Sequence, residues 1–301
     1  MLNNQSIKIF NTKCDIGGYL LPADFPYLNR QFLSELQPLS FTKRVEKIYS
    51  LITNKSVENL DLSAVKDIEE QSLILAFDDC LSCLDLSCAS TASYNDFIFD
   101  KSDLLSKVAC LIGVFTSTYL DLVESSIVEF YDTINFTCPT FDGIFVLSLM
   151  LAKKMGLPIN CIICPIEKFV NIPIKSLFLS NFISDEVSEV IYEFFNDFGY
   201  LFDELSASQI IALDEYYSSY EDEKFTVSMR VVSPYYFSRS IYKTLTKKNE
   251  LNINRAISKL YEESAESVPE YIEEKQNYFY NEPVSLDFHT AFSIIKSMNK
   301  I

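Results

Sequence analysis

Thr133-Ile134-Asn135-Phe136-Thr137-Cys138 is a run of β-branched and aromatic residues stopped by Pro139, which is the composition of a strand. Ile144 to Leu151 is then apolar except for Ser148, and predicts a helix covered on nearly all sides. Lys153 and Lys154 fall where the negative end of that helix favours cations. Gly156 suits the residue past the cap, and Pro158 prevents continuation. Ile159 to Cys164 gives a second strand. Two strands joined through a helix are expected to run parallel, with a right-handed crossover and both sheet faces covered. The expected fold class is therefore α/β, a mostly parallel sheet with helices on both faces.

The flanking pattern is mainly helical. Ser40 or Thr42 can cap a helix from about Lys43 to Thr53. The apolar run Val108 to Leu122 has Cys110, Val114 and Phe115 at helical spacing and predicts a packed helix. A Ser/Thr/Asp-rich stretch at 87–103 reads as loop. Ser184 can cap a helix whose first turn holds Asp185 and Glu186 and whose apolar face is Val190, Ile191, Phe194 and Phe195. From Asn249 onward the chain is acidic, polar and helical in pattern. No internal repeat or long linker is visible.

With 301 residues, 48% of them hydrophobic, the chain can bury a sizeable core and is not generally disordered. The net charge of −17 disfavours nucleic acid and anionic membrane as partners. No apolar run is read as a transmembrane helix, and Lys8 and Lys13 are not followed by the apolar core of a signal peptide. The expected location is the cytoplasm. Eight cysteines stand at 14, 80, 83, 88, 110, 138, 161 and 164. Cys80-x-x-Cys83 and Cys161-x-x-Cys164 invite a zinc reading. Against it, Cys161 and Cys164 lie in a strand, where residues three apart point to opposite faces, and the lone His289 has no evident partner ligands. Buried reduced thiols and no metal are expected.

Pro139-Thr140, followed at the right interval by Ala152-Lys-Lys-Met-Gly-Leu-Pro-Ile159, resembles the threonine synthases, pyridoxal-phosphate enzymes of fold type II. Gly17-Gly18-Tyr19-Leu20-Leu21-Pro22, Asp24-Phe25-Pro26 and Leu39-Ser40-Phe41 are similar to that family's amino-terminal order. Ala76-Phe77-Asp78-Asp79-Cys80, Ser184-Asp185-Glu186, Gly199-Tyr200-Leu201-Phe202-Asp203 with Ser206-Ala207, and Pro234 with Phe237 continue it in chain order. Lys101 to Lys107 falls where the family has Asn-Ser-Ile-Asn-Trp-Ala-Arg, and keeps only Ser102 and the final charge. Leu286-Asp287-Phe288-His289-Thr290-Ala291 offers a rival to the hydroxyl motif around Ser206, but chain order favours the earlier segment, and 287–291 is read as coincidence. By resemblance, Thr140 and Gly143 correspond to the loop that holds the cofactor phosphate, and Ser206 to the hydroxyl that meets the pyridine nitrogen.

The departures bear on function. Where the family has Gly-Asn-Phe-Gly-Asn, this chain has Phe141-Asp142-Gly143-Ile144-Phe145, and a carboxylate stands about where the phosphate would sit. A phosphate needs close backbone approach at a helix N-terminus, which glycines permit and side chains obstruct. Asp142 is equally a good N-cap for a structural helix. Glu167-Lys168-Phe169-Val170 replaces the family's Asn-x-Asn-Asp. Between Asn54 and Asp79, a stretch of about twenty residues stands in for the family's small domain and its Schiff-base lysine. Ser63-Ala64-Val65-Lys66-Asp67 is the one remnant of the lysine motif, and the bland reading of Lys66 is a solvated lysine among Asp67, Glu69 and Glu70. Likewise Ser206 reads as an ordinary helix-start serine.

The expected organisation is a threonine-synthase-like amino-terminal segment at 1–55, a remnant of the deleted small domain at 56–75, the large α/β domain at 76–248 and a helical carboxyl-terminal segment at 249–301. The expected function is a catalytically inactive threonine-synthase-like protein with a binding or interaction role and no cofactor. A protein partner is expected over the surface left by the small domain. The alternative is a pyridoxal-phosphate-dependent lyase acting on O-phosphohomoserine through a minimal site at Lys66.

Overall fold

A computed structural model describes residues 13–16, 19–22, 24–56, 65–66, 69, 74–76, 80–87, 103–166, 176–181, 184–221, 224–250, 252–264, 268, 272 and 286–298. The segments 17–18, 57–64, 67–68, 77–79, 88–102 and 167–170, which carry parts of the sequence reading, lie outside them.

A hairpin of β1 (Lys13–Ile16) and β2 (Tyr19–Pro22) precedes α1 (Arg30–Leu36) and α2 (Phe41–Thr53). The main sheet uses β3 (Ile74–Ala76), β4 (Leu81–Asp85), β5 (Ile134–Thr137), β6 (Ile159–Ile166), β7 (Leu177–Asn181) and β8 (Thr226–Arg230). Its order is β3-β4-β8-β5-β6-β7, with β3 antiparallel to β4 and every other pairing parallel. The remaining described helices are α3 (Leu104–Glu124), α4 (Ile144–Lys154), α5 (Ser184–Phe198), α6 (Glu204–Tyr220), α7 (Ser238–Thr246), α8 (Ile253–Ser264) and α9 (Phe288–Met298), with a 3₁₀ turn at Pro234–Phe237.

The expected β5–α4–β6 unit is present, and Ile134 pairs with Ile159 in parallel register. Side chains alternate across β6. Cys161 and Ile163 pack on Ala212, Leu213 and Tyr216 of α6, while Ile162 and Cys164 face the core built with α3 and α4. Helices thus cover both faces, as the continuously apolar strands require. The carboxyl end of α4 closes as its residues predict. Gly156 adopts φ +105°, its N–H reaches the Lys153 carbonyl at 3.0 Å, and the Leu157 N–H reaches Ala152 at 3.0 Å. Lys153 Nζ holds the Ile159 and Asn160 carbonyls at the start of β6.

Two helix starts differ from the sequence expectation. In α2 neither Ser40 nor Thr42 caps with its side chain; the Thr42 N–H instead donates to Glu69 at 3.1 Å, a carboxylate brought from far along the chain. α3 starts four residues earlier than expected because Asp103 accepts the Ser106 N–H at 2.9 Å. α3 is long and apolar enough by composition to cross a membrane, with 83% of its most apolar window buried inside the fold. Its polar groups turn back on the helix: the Thr116 and Thr118 hydroxyls donate to the Ile112 and Val114 carbonyls.

α2 crosses α3 so closely that a Cβ on Gly113 would lie 2.9 Å from the Cα of Val45. Beside that crossing the buried Arg44 donates to the Gln37 carbonyl at the end of α1 and to the Leu36 carbonyl, which also accepts the Leu39 N–H, and pairs with Asp121 and Glu124 of α3. One guanidinium therefore ties three helices. Arg44→Met keeps the bulk but removes the donor to the Gln37 carbonyl and the cation between Asp121 and Glu124, and is expected to cost on the order of 3 kcal/mol, read as a lowered urea midpoint with unchanged slope.

Candidate functional site

In open α/β sheets ligands meet the carboxyl ends of the parallel strands. Three of those ends are Asp85 on β4, Arg230 on β8 and the loop Cys138–Gly143 that leads from β5 into α4. Each is filled by the chain's own groups.

At the amino end of α4, the fully buried Asp142 accepts the Ile144 N–H at 2.9 Å and the Leu286 N–H at 3.1 Å. The Gly143 N–H donates to the Leu286 carbonyl at 2.7 Å. Gly143 has φ −65° and ψ −9°, a conformation open to any residue, so its backbone needs no glycine. The space does: an added Cβ would lie 2.8 Å from Ala291 Cβ, 2.9 Å from the Asp287 carbonyl oxygen and 3.0 Å from that of Leu286. Thr140 is half-buried beside this contact. The start of α9 meets the same point, and there Asp287 accepts the Thr290 N–H at 2.9 Å and the Thr290 hydroxyl. Those bonds hold the Asp287 carboxyl below its ordinary range. Two positive helix ends converge, each met by an aspartate. The sequence reading set 287–291 aside, yet the structure brings this segment onto the helix end that the resemblance assigns to phosphate.

Ser206 lies in the first turn of α6. Its N–H donates to Asp203 Oδ1 at 3.1 Å, its hydroxyl donates to Asp203 Oδ2, and both residues are buried. Asp203 is the cap, accepting the Leu205 N–H at 2.8 Å as well. Burial pushes the Asp203 carboxyl up to about 6, against the pull of Ser206 and Arg230.

A further cluster had no place in the sequence reading. Arg230 pairs with Asp85, its neighbour across β8 and β4, and donates to the Leu201 carbonyl at 2.7 Å. Its guanidinium stands 4.5 Å from the Tyr200 ring centre. Tyr200 donates its hydroxyl to Asp85 at 3.1 Å, and Ser87 gives the other Asp85 oxygen its N–H at 2.8 Å and its hydroxyl at 2.7 Å. Cys83 lies 3.6 Å from the Tyr200 hydroxyl, and burial pushes its thiol up to about 12. The Tyr200 phenol is likewise raised by burial. Neither supplies a nucleophile at neutral pH. The available signal was one arginine ending an apolar strand and one aspartate ending another, since buried charges have to be paired.

Lys66 is exposed, next to the buried Val65. Its neighbour Glu69 is partly buried, yet hydrogen bonds from Thr42 and Ser40 hold its carboxyl below the ordinary range. Cys80 is exposed, and Cys161 and Cys164 face opposite sides of the sheet. Among the described residues no group of three or more metal-ligating side chains converges.

No protein-family model matches the sequence, and no curated protein matches it significantly. Solved structures do match. Threonine synthase from Escherichia coli superposes with a TM-score of 0.61 at 11% identity, over 94% of this chain and 93% of that one. Threonine synthase from Brucella melitensis, solved with pyridoxal phosphate bound, superposes with a TM-score of 0.56 at 10% identity, over 95% and 94%. The chain has the threonine synthase fold.

The residues that the resemblance assigns to the cofactor phosphate do not fit it. A threonine-synthase-like nest needs free amides at the start of α4, and here Gly143 and Ile144 donate to Leu286 and Asp142. A phosphate would also meet the Asp142 carboxylate at close range. Ser206 already donates its hydroxyl to Asp203.

Asp203 generates a pH prediction. Its folded value of about 6 lies above the ordinary 3.8, so its stabilising contribution is complete below about 3.8 and is lost as pH rises through about 6. Asp203→Asn keeps an acceptor for the α6 amides and removes the titration. Relative to wild type, the variant is expected to gain on the order of 2–3 kcal/mol between pH 4 and pH 7, followed by urea unfolding at each pH.

Proposed function

We propose that this chain is a non-catalytic protein built on the threonine synthase fold, acting by binding or interaction rather than by pyridoxal-phosphate chemistry. The observation that carries the reading is the closed amino end of α4, where the Leu286 carbonyl and the Asp142 carboxylate take the amides a cofactor phosphate would need. Lys66 supports it from the other side of the chemistry. A lysine that forms a Schiff base is activated by desolvation or by a neighbouring cation, and Lys66 is exposed. The raised Cys83 thiol and Tyr200 phenol offer no substitute nucleophile. The threonine synthase from Brucella melitensis was solved with pyridoxal phosphate bound; here the chain's own groups take the amides at the helix end that the resemblance assigns to the phosphate.

The test is to incubate the purified protein with pyridoxal phosphate, record the absorbance of the Schiff base, reduce with borohydride and map the labelled peptides. Scattered labelling of surface lysines is expected. Stoichiometric labelling at Lys66, abolished by Lys66→Ala, overturns the reading and establishes the lyase alternative's first requirement.

A further inference from the structure

Gly143 and Ser206 both look like survivors of a cofactor site, but the surroundings of Gly143 give it a different use. Its backbone is in an ordinary helical conformation, while the carbonyls of Leu286 and Asp287 and the methyl of Ala291 fill the volume a side chain would need. Asp142 bridges two segments far apart in sequence by accepting one N–H from each, Ile144 on its own helix and Leu286 on the other. With the bond from Gly143 N–H to the Leu286 carbonyl, residues 142–144 and 286 form a closed ring of backbone and carboxylate contacts. Leu286, Ala291, Phe292, Ile294 and Ile295 are buried behind it. The segment also reaches β1, so it lies between the amino-terminal hairpin and α4.

We propose that Asp142 and Gly143 form an internal socket whose occupant is the carboxyl-terminal segment Leu286–Met298. In this proposal Gly143 is required for close docking of that segment, and Asp142 is a positioning residue that fixes its entry into α9. The socket deepens the non-catalytic reading, since the Leu286 carbonyl and a cofactor phosphate compete for the same amides.

The test is hydrogen exchange by mass spectrometry on the full-length protein. Gly143→Ala forces a Cβ into the contact, and Asp142→Ala removes the shared acceptor. In both, peptides covering 286–298 are expected to exchange about tenfold faster, while those of α2 and α3 stay within about twofold of wild type. Asp142→Asn retains an acceptor oxygen and is expected to stay close to wild type in 286–298. Unchanged exchange of 286–298 in both alanine variants overturns the socket. Equal acceleration across the whole chain overturns it too, because Asp142 and Gly143 then serve the fold in general. Labelling at Lys66 bears on the catalytic reading alone, so the two can fail separately.

Discussion

A helix end that is buried has no water to bond, so its open amides or carbonyls must be answered by the chain itself. That constraint falls on α4, where Ile144 to Leu149 are all buried. Its carboxyl end is answered locally, by the left-handed Gly156, whose N–H meets the Lys153 carbonyl, and by the Leu157 N–H, which meets that of Ala152. Its amino end is answered half locally, by Asp142, and half from the far end of the chain, by Leu286. The rest of the site follows from this asymmetry. An end closed by the chain's own carboxylate and carbonyl is no longer available to an anion.

The same logic of internal satisfaction runs through the other strand ends. Asp85 and Arg230 terminate neighbouring strands and neutralise each other, with Tyr200, Ser87 and the Leu201 carbonyl completing the network. Asp203 and Ser206 complete the first turn of α6. In each case a group whose type suggests chemistry is held in a low-dielectric setting and bonded to the chain's own groups. Burial raises the thiol and phenol there out of the reactive range. The fold is that of threonine synthase, and at the ends of β4, β5 and β8 the polar groups are bonded to the chain itself.

Much of the fold was legible in local pattern. The strand at Thr133–Cys138, the apolar helix, the Lys153–Pro158 stop and the second strand at Ile159 specify a parallel unit, because each signal is short-range and each has a single geometric outcome. The position of Ser206 in a first helical turn was legible for the same reason. Asp203, three residues before Ser206, is the capping side chain there, a local signal that the family resemblance of this stretch obscures. Ser40 does stand at the N-cap position of α2, but the Thr42 N–H goes to the distant Glu69, and α3 starts earlier than its apolar run because Asp103 caps it.

By itself the sequence determined the fold class, the central crossover, the departure of Phe141–Phe145 from an amide-lined loop and the weakness of the Lys66 fragment. Those properties follow from residue type and spacing within one or two turns of chain. Only the tertiary structure decided what fills the amino end of α4, why residue 143 is glycine, which aspartate the buried Arg230 pairs with and how Arg44 joins three helices. The Asp142–Leu286 contact spans 144 residues, and the Arg230–Asp85 pair spans 145. No local periodicity encodes such a contact; it arises when the sheet order sets the two segments side by side and burial then requires their polar groups to meet.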